Sequence, residues 1–417
     1  MNDLASRMQR LADTALAPLP TLDDLRRRNL RRHHQKRVLG GLGAGALLLA
    51  AVLVIALAIV PGSPKGRVVS PPGTSQIRPH WNLVADVASQ WSLQPVEGWD
   101  FYLTCPSVGV CYAEAEAPGG SRSMLEVTTD GGAQWVRYPM PDPLDPPFTC
   151  LSATVCAGVG VHKGQAVFEE TMDGGTSWQV EPLHADLPGV MSCTTPASCV
   201  AIAGSSGSVM ALVTTDGGVS WTSYALPAAV TSAPASLQCF ASGECLALGN
   251  SVGPTGTETT IGIYSTDGGT SWSTSQLPPS FAFGWDISCT SSTACMVTGT
   301  VRGGSAVAVS SDGGQVWTLA NTPLASTGAV TLNWLACAGE ATCFVSGIPF
   351  SGGESGVPSA FVAGTSDAGS TWQVSHLPAG VDAIGTVSCP TSTACYGFGA
   401  KSLPSGMGSP VFLSTTG

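Results

Sequence analysis

Thr266-Asp267-Gly268-Gly269-Thr270-Ser271-Trp272 is the clearest copy of a stretch that recurs six times along a chain of 417 residues. Written as S/T-x-D-G/A-G-x-x-W, it sets Asp130, Asp173, Asp216, Asp267, Asp312 and Asp367 five residues ahead of Trp135, Trp178, Trp221, Trp272, Trp317 and Trp372. Apolar or β-branched residues precede each copy, so the pattern lies between two strand-like runs. Asp-Gly at such a junction signals a tight turn: glycine accepts the positive φ the turn needs, and the Asp carboxylate can accept the turn's own N–H groups. The Trp anchors the departing strand. These Asp and Trp residues are expected to be structural, as turn locks and core anchors rather than catalysts or metal ligands.

The cysteines repeat in step with the turns. All 14 fall into C-x5-C pairs, namely Cys105/Cys111, Cys150/Cys156, Cys193/Cys199, Cys239/Cys245, Cys289/Cys295, Cys337/Cys343 and Cys389/Cys395. C-x5-C is not a usual zinc spacing, and an even set of regular pairs reads as disulfides formed outside the cytoplasm. Each would staple a hairpin, contributing about 2 kcal/mol in the loop-entropy account. No metal site and no cofactor is expected.

One repeat therefore reads as four strands. A strand ends at the first Cys (Gly189–Ser192 is an example), and a second begins at the next Cys (Cys199–Ala203). A third runs into the Asp-containing turn (Val209–Thr214), and a fourth opens with the Trp. Four antiparallel strands every 43 to 55 residues form a propeller blade. The chain stops at Ser414-Thr415-Thr416-Gly417, where a further turn would start. The missing strand is expected near the N-terminal edge, where Asp86-Val87-Ala88-Ser89-Gln90-Trp91 keeps the Asp-to-Trp spacing without the glycines. The strand after Trp91 would then complete the blade begun by Cys389. The predicted fold is all-β: a seven-bladed propeller over residues 80–417, with no free sheet edge at its closure.

The N-terminal part differs in kind. Residues 1–38 carry a net charge of +5 and the remainder −16, within a total of −11. Val38–Val60 is a stretch of 23 uncharged residues ended by Pro61-Gly62, long enough for a transmembrane helix. Arg26-Arg27-Arg28, Arg31-Arg32 and Lys36-Arg37 precede it, which places that side in the cytoplasm. The expected organisation is a basic cytoplasmic segment (1–37), one span (38–60), a Pro/Gly/Ser-rich linker (61–79) and an extracytoplasmic propeller. The acidic balance of the outer part excludes nucleic acid as a partner.

The repeated S/T-x-D-x-G-x-x-W motifs resemble the bacterial-neuraminidase repeats, or Asp boxes, of sialidase-like propellers. The chain is also similar to the seven-bladed propellers related to photosystem II stability and assembly factors. The resemblance covers about residues 80–417 and implies a propeller; the repeat occurs in glycosidases, receptors and assembly factors alike. Sialidases of this kind grip the substrate carboxylate with three arginines and use a Tyr/Glu pair and an Asp. Beyond the span this chain has Arg67, Arg78, Arg122, Arg137 and Arg302. The first two belong to the linker and Arg137 to an outer strand, so no arginine triad assembles within the ring. The expectation is a protein that is not an enzyme.

Binding is expected on the face opposite the disulfides and Asp boxes, where the blade-to-blade connections and second-to-third loops lie. Pro139–Pro147 is stiff and acidic. Gly98-Trp99-Asp100 and Gly284-Trp285-Asp286 each precede an innermost strand, with Phe281 and Phe283 just ahead of the latter, Trp334 in the next repeat and Arg302 in a loop. Trp beside a carboxylate at a central mouth can stack on a sugar or clamp a peptide. The expected role is a scaffold that binds a protein or an envelope polysaccharide. The alternative is a glycan-binding or sialidase-like ectodomain.

Overall fold

The alternation of short apolar runs and glycine turns is realised as sheets in a computed structural model. It describes residues 80–87, 91, 102–116, 123–141, 144–205, 208–234, 236–252, 256–301, 304–321, 330–339, 341–349, 360–402 and 408–415. The expected cytoplasmic segment, span and linker lie outside these residues, as do Trp99, Asp100, Arg122 and Arg302. Seven four-stranded antiparallel sheets form seven blades. Blade 3 shows the pattern, with strands Leu187–Thr195, Ser198–Ser205, Ser208–Thr214 and Thr222–Ala225 in that order from the centre outwards. The innermost strands of blades 1 to 7 are Tyr102–Ser107, Leu144–Cys150, Leu187–Thr195, Leu237–Cys239, Phe281–Cys289, Val330–Ala338 and Ala383–Ser388. Each touches the next all the way round, which closes a ring about a central channel.

The ring closes one motif earlier than expected. Blade 7 takes its fourth strand from Trp81–Asp86, which pairs antiparallel with Gly408–Thr415 in the register Trp81↔Thr415 and Asn82↔Ser414. Trp81 therefore stands in the position of an Asp-box Trp, without a box ahead of it. Asp86–Trp91 is not a worn box, and the strand after Trp91 does not complete the blade. Trp91 is instead fully buried in the seam between blades 7 and 1, edge-on to Trp135 and Phe398. An apolar indole followed by β-forming residues served closure equally well at either place. Backbone pairing with residue 415 decided between them.

The core lies in the seams. Seven apolar clusters fill the seven blade-to-blade interfaces, and one Trp of the repeat packs into each: Trp135, Trp178, Trp221, Trp272, Trp317, Trp372 and Trp81. That is why the Trp recurs: a blade alone is a thin sheet, and a large flat side chain seals it against its neighbour.

All seven C-x5-C pairs are disulfides. Each staples the innermost strand to the second. A bond across a turn would ordinarily lie at the surface. Cys111, Cys156, Cys343 and Cys395 are instead fully buried, each within an apolar seam cluster. The second strand of a blade is covered by the neighbouring blades on both its faces, so the cysteine that opens it becomes a core residue. A half-cystine packs there as a small apolar group.

The Asp boxes are locked by local hydrogen bonds of one design. In blade 3 the Thr214 hydroxyl donates to Asp216 Oδ1 at 2.7 Å and accepts the Gly218 N–H at 3.0 Å, while Oδ1 also accepts the Ser220 N–H at 2.9 Å. The residue after the Asp then donates its N–H to a carbonyl in the disulfide hairpin of the same blade, as Gly217 does to Ala197 at 3.0 Å. All six boxes repeat this link, so boxes and disulfides share one face. Gly218 has φ +83°, and a Cβ there would stand 2.4 Å from the ring of Phe168 in the preceding blade, so the second glycine is required twice over.

Candidate functional site

The innermost strands are bulged three to five residues before their first Cys in blades 3, 5, 6 and 7, where the pairing register slips by one residue. Bulges turn side chains away from regular alternation. Trp285 is the extra residue in blade 5, and Asn333-Trp334 face a single partner residue in blade 6. Three residues before the first Cys, the blades carry Tyr102, Pro147, Val190, Ser236, Asp286, Trp334 and Thr386 in order. These seven positions are equivalent in the repeat, although Val190 is buried in the seam between blades 3 and 4.

At these positions blade 1 meets blade 6. The rings of Tyr102 and Trp334 lie edge to face with centroids 5.9 Å apart, although blade 7 stands between them in the ring. Blade 7 carries Gly385-Thr386 there, small enough for two aromatic side chains to meet in front of it. Phe283 and Trp285 remain 38% exposed, whereas Phe281 packs into the seam between blades 4 and 5. The structure thus brings Asp286 against the backbone that follows Trp334, leaves Phe283 and Trp285 exposed on the same innermost strand, and makes Phe281 largely part of the core. The half-cystines take no part in this site: Cys111, Cys156 and Cys395 are enclosed in the seams and present nothing to a ligand.

Asp286 reaches across to the next blade. Its Oδ2 accepts the N–H of Leu335 at 2.9 Å and its Oδ1 accepts the N–H of Ile287 at 2.8 Å. The residue is partly exposed, and the protein surrounding it pushes its pKa up from 3.8 to about 7 against the opposing effect of the two N–H donors. Ser236, at the equivalent position in blade 4, is buried, and its hydroxyl has no hydrogen-bond partner among the described residues.

Four buried glutamates escaped the sequence reading: Glu114 and Glu126 in blade 1, Glu169 and Glu170 in blade 2. Glu126 pairs with Arg137 on the adjacent strand, and Arg137 also donates to the Trp91 carbonyl. Desolvation raises the Glu126 pKa even against Arg137, and burial raises that of Glu170. A Glu between Leu125 and Val127 is a signal available in the sequence: polar residues do not normally interrupt the apolar centre of a blade. Among the described residues no cluster of His, Cys, Asp or Glu suits a metal ion.

No family model and no curated protein matches the sequence. Solved structures do match. YCF48 bound to D1 peptide superposes with a TM-score of 0.52 at 18% identity, over 76% of this chain and 92% of that one. YCF48 from Cyanidioschyzon merolae gives 0.53 at 15% identity, over 81% and 98%. The chain shares its fold with YCF48. The GH74 enzyme of Niastella koreensis follows at 0.49 and 13% identity, over 74% of this chain and 53% of that one, and sialidase propellers are among the further neighbours.

Proposed function

We propose that this protein is a membrane-anchored, extracytoplasmic propeller that holds an extended segment of a protein partner at its channel mouth and catalyses no reaction. The observation that carries this reading is the exposure of Phe283 and Trp285 on the innermost strand of blade 5 of a stapled ring, next to the blade whose Trp334 meets Tyr102. Exposed aromatics on a preformed surface are the usual anchors of protein interfaces. A propeller of the same fold, YCF48, has been seen with a D1 peptide bound, which supports a peptide as ligand. The seven disulfides suit an oxidising compartment, and the uncharged stretch Val38–Val60 suits an anchor. Glycoside hydrolysis ordinarily needs two carboxylates facing one bond. Asp286 is the one carboxylate described on the innermost strands, where Asp145 of blade 2 is the other acidic residue.

The test is capture from envelope extract by the full chain in detergent, wild type against Trp285→Ala/Phe283→Ala. The expected result is one or a few proteins retained by the wild type and lost by the variant. Retention of polysaccharide alone would move the assignment to glycan binding.

A further inference from the structure

Among the described residues, the wall of the ring holds one carboxylate without a counter-ion. The innermost strands contain two acidic residues, Asp145 and Asp286, and not one Lys, Arg or His. Strands packed against that of Asp286 come from blades 4, 5 and 6 and add Glu258 and Tyr264 as their titratable side chains, again with no cation. Asp286 is held by two backbone N–H groups, which fix its position and leave its charge unneutralised. A carboxylate largely surrounded by protein and without a counter-ion is costly to ionise. Neighbouring positions carry the electron-rich faces that attract cations: Trp334 precedes Leu335, the residue whose N–H Asp286 accepts, and Tyr102 lies edge-on to Trp334. Trp285 and Phe283 supply exposed rings on the same strand.

We infer that the channel mouth receives a basic side chain, Lys or Arg, from the partner segment, with Asp286 as its counter-ion and Trp285 and Trp334 as its aromatic walls. The inference rests on the docking role proposed above and adds the chemistry of the residue that is read. Aromatic rings within about 6 Å of an ammonium or guanidinium attract it electrostatically, and a charge-assisted hydrogen bond to a carboxylate is stronger than a neutral one. Asp286 is the one charged side chain described on the innermost strands, so the selectivity is assigned to this position.

The test is fluorescence anisotropy with the full chain in detergent and labelled seven-residue Gly/Ser peptides bearing one central Arg, Lys, Gln or Glu. Arg and Lys peptides are expected to bind at least ten-fold more tightly than Gln, with Glu weakest. Asp286→Asn should lose that ten-fold preference. Trp285→Ala, a change at an exposed position, should weaken the Arg and Lys peptides more than the Gln peptide. Wild-type affinity for the Lys peptide should rise as pH is taken from 5 to 8, since the carboxylate must ionise, a readout that needs no variant to fold. Equal binding of all four peptides, lost on Trp285→Ala, would overturn the cation inference and leave the docking reading intact. If no peptide binds, the cation inference falls; if protein capture also ignores Trp285 and Phe283, the docking reading falls with it.

Discussion

Ser388 and Cys105 stand 283 residues apart in the chain, yet the Ser388 hydroxyl accepts the N–H of Cys105 at 2.9 Å. The same clasp joins Ser192 to Cys239 at 3.0 Å, Gln238 to Cys289 at 2.9 Å and Ser288 to Cys337 at 3.0 Å. In each case the residue before one blade's first Cys holds the first Cys of the next blade. The innermost strands are therefore bonded across blades by side chains, because their backbone groups on that side have no sheet partner. A buried N–H that loses its acceptor costs about 1–3 kcal/mol. Ser388→Ala is expected to destabilise the protein by that amount, and Ser288→Ala by a similar one, read from urea midpoints at an unchanged slope. Wild-type midpoints for both would show the clasp to be incidental.

Ring closure gives a larger effect. Trp81 is 3% exposed and packs against Phe344, Val362 and Ile384 in the seam of blades 6 and 7. Truncating a buried Trp to Ala costs about 3–5 kcal/mol, so Trp81→Ala should lose that much in denaturant unfolding. Loss below about 1 kcal/mol would mean that the terminal strand contributes little to closure.

The contrast between boxes and closure shows what could be read from one chain. The Asp-box bonds join residues two to four apart, as between Thr214, Asp216 and Gly218, so local spacing carries all their information. The disulfides are likewise local, and both were legible. The depth of the disulfides was not, because the burial of Cys111, Cys156 and Cys395 comes from neighbouring blades rather than from the hairpin that each pair bridges. Whether Trp81 or Trp91 fills the seventh seam depends on pairing with Ser414 and Thr415, more than three hundred residues away, and no local pattern distinguishes them. The mouth was half legible: Trp285 and Trp334 stood out as aromatics before innermost strands. That Tyr102 meets Trp334 depends on the small residues of blade 7 between them.

The boxes titrate in a defined direction. Asp216 has its pKa lowered from 3.8 to about 2, chiefly by the Ser220 hydroxyl, then by the Ser220 N–H and the Thr214 hydroxyl, all of which favour the ionised form. The native state therefore binds this proton more weakly than the unfolded chain, and the stabilisation is present above pH 3.8 and lost as pH falls to about 2. Asp216→Asn should melt below the wild type at neutral pH, and the gap should close through that acid window. A gap independent of pH would assign the effect to shape rather than charge.

The disulfides act on the unfolded chain. Closing a ring as short as that between Cys239 and Cys245 removes conformational freedom worth about 2 kcal/mol. Replacing that pair with Ala is expected to cost about this much, with the blade still formed by the strand register Leu237↔Ala247 and Gln238↔Leu246. Thiol titration of the unreduced, unfolded protein should find no free cysteine, as none is free in the fold. Detectable thiols would contradict the stapled ring.

Asp286 should work in the opposite sense to Asp216. Its folded pKa is raised by burial to about 7 from 3.8, so the native state holds this proton more tightly than the unfolded chain does. The associated stability is complete below pH 3.8 and is lost as pH rises through about 7. Asn, which cannot ionise, removes this dependence, so the wild-type advantage over Asp286→Asn should shrink between pH 4 and pH 8 in a series of urea titrations. A bound cation reverses the slope, because it stabilises the ionised carboxylate that burial disfavours. With saturating Arg peptide present, the wild type should therefore gain stability from pH 5 to pH 8 relative to the peptide-free protein, while Asp286→Asn gains equally at both. A peptide-induced gain in the wild type that is the same at pH 5 and pH 8 would separate Asp286 from the binding event.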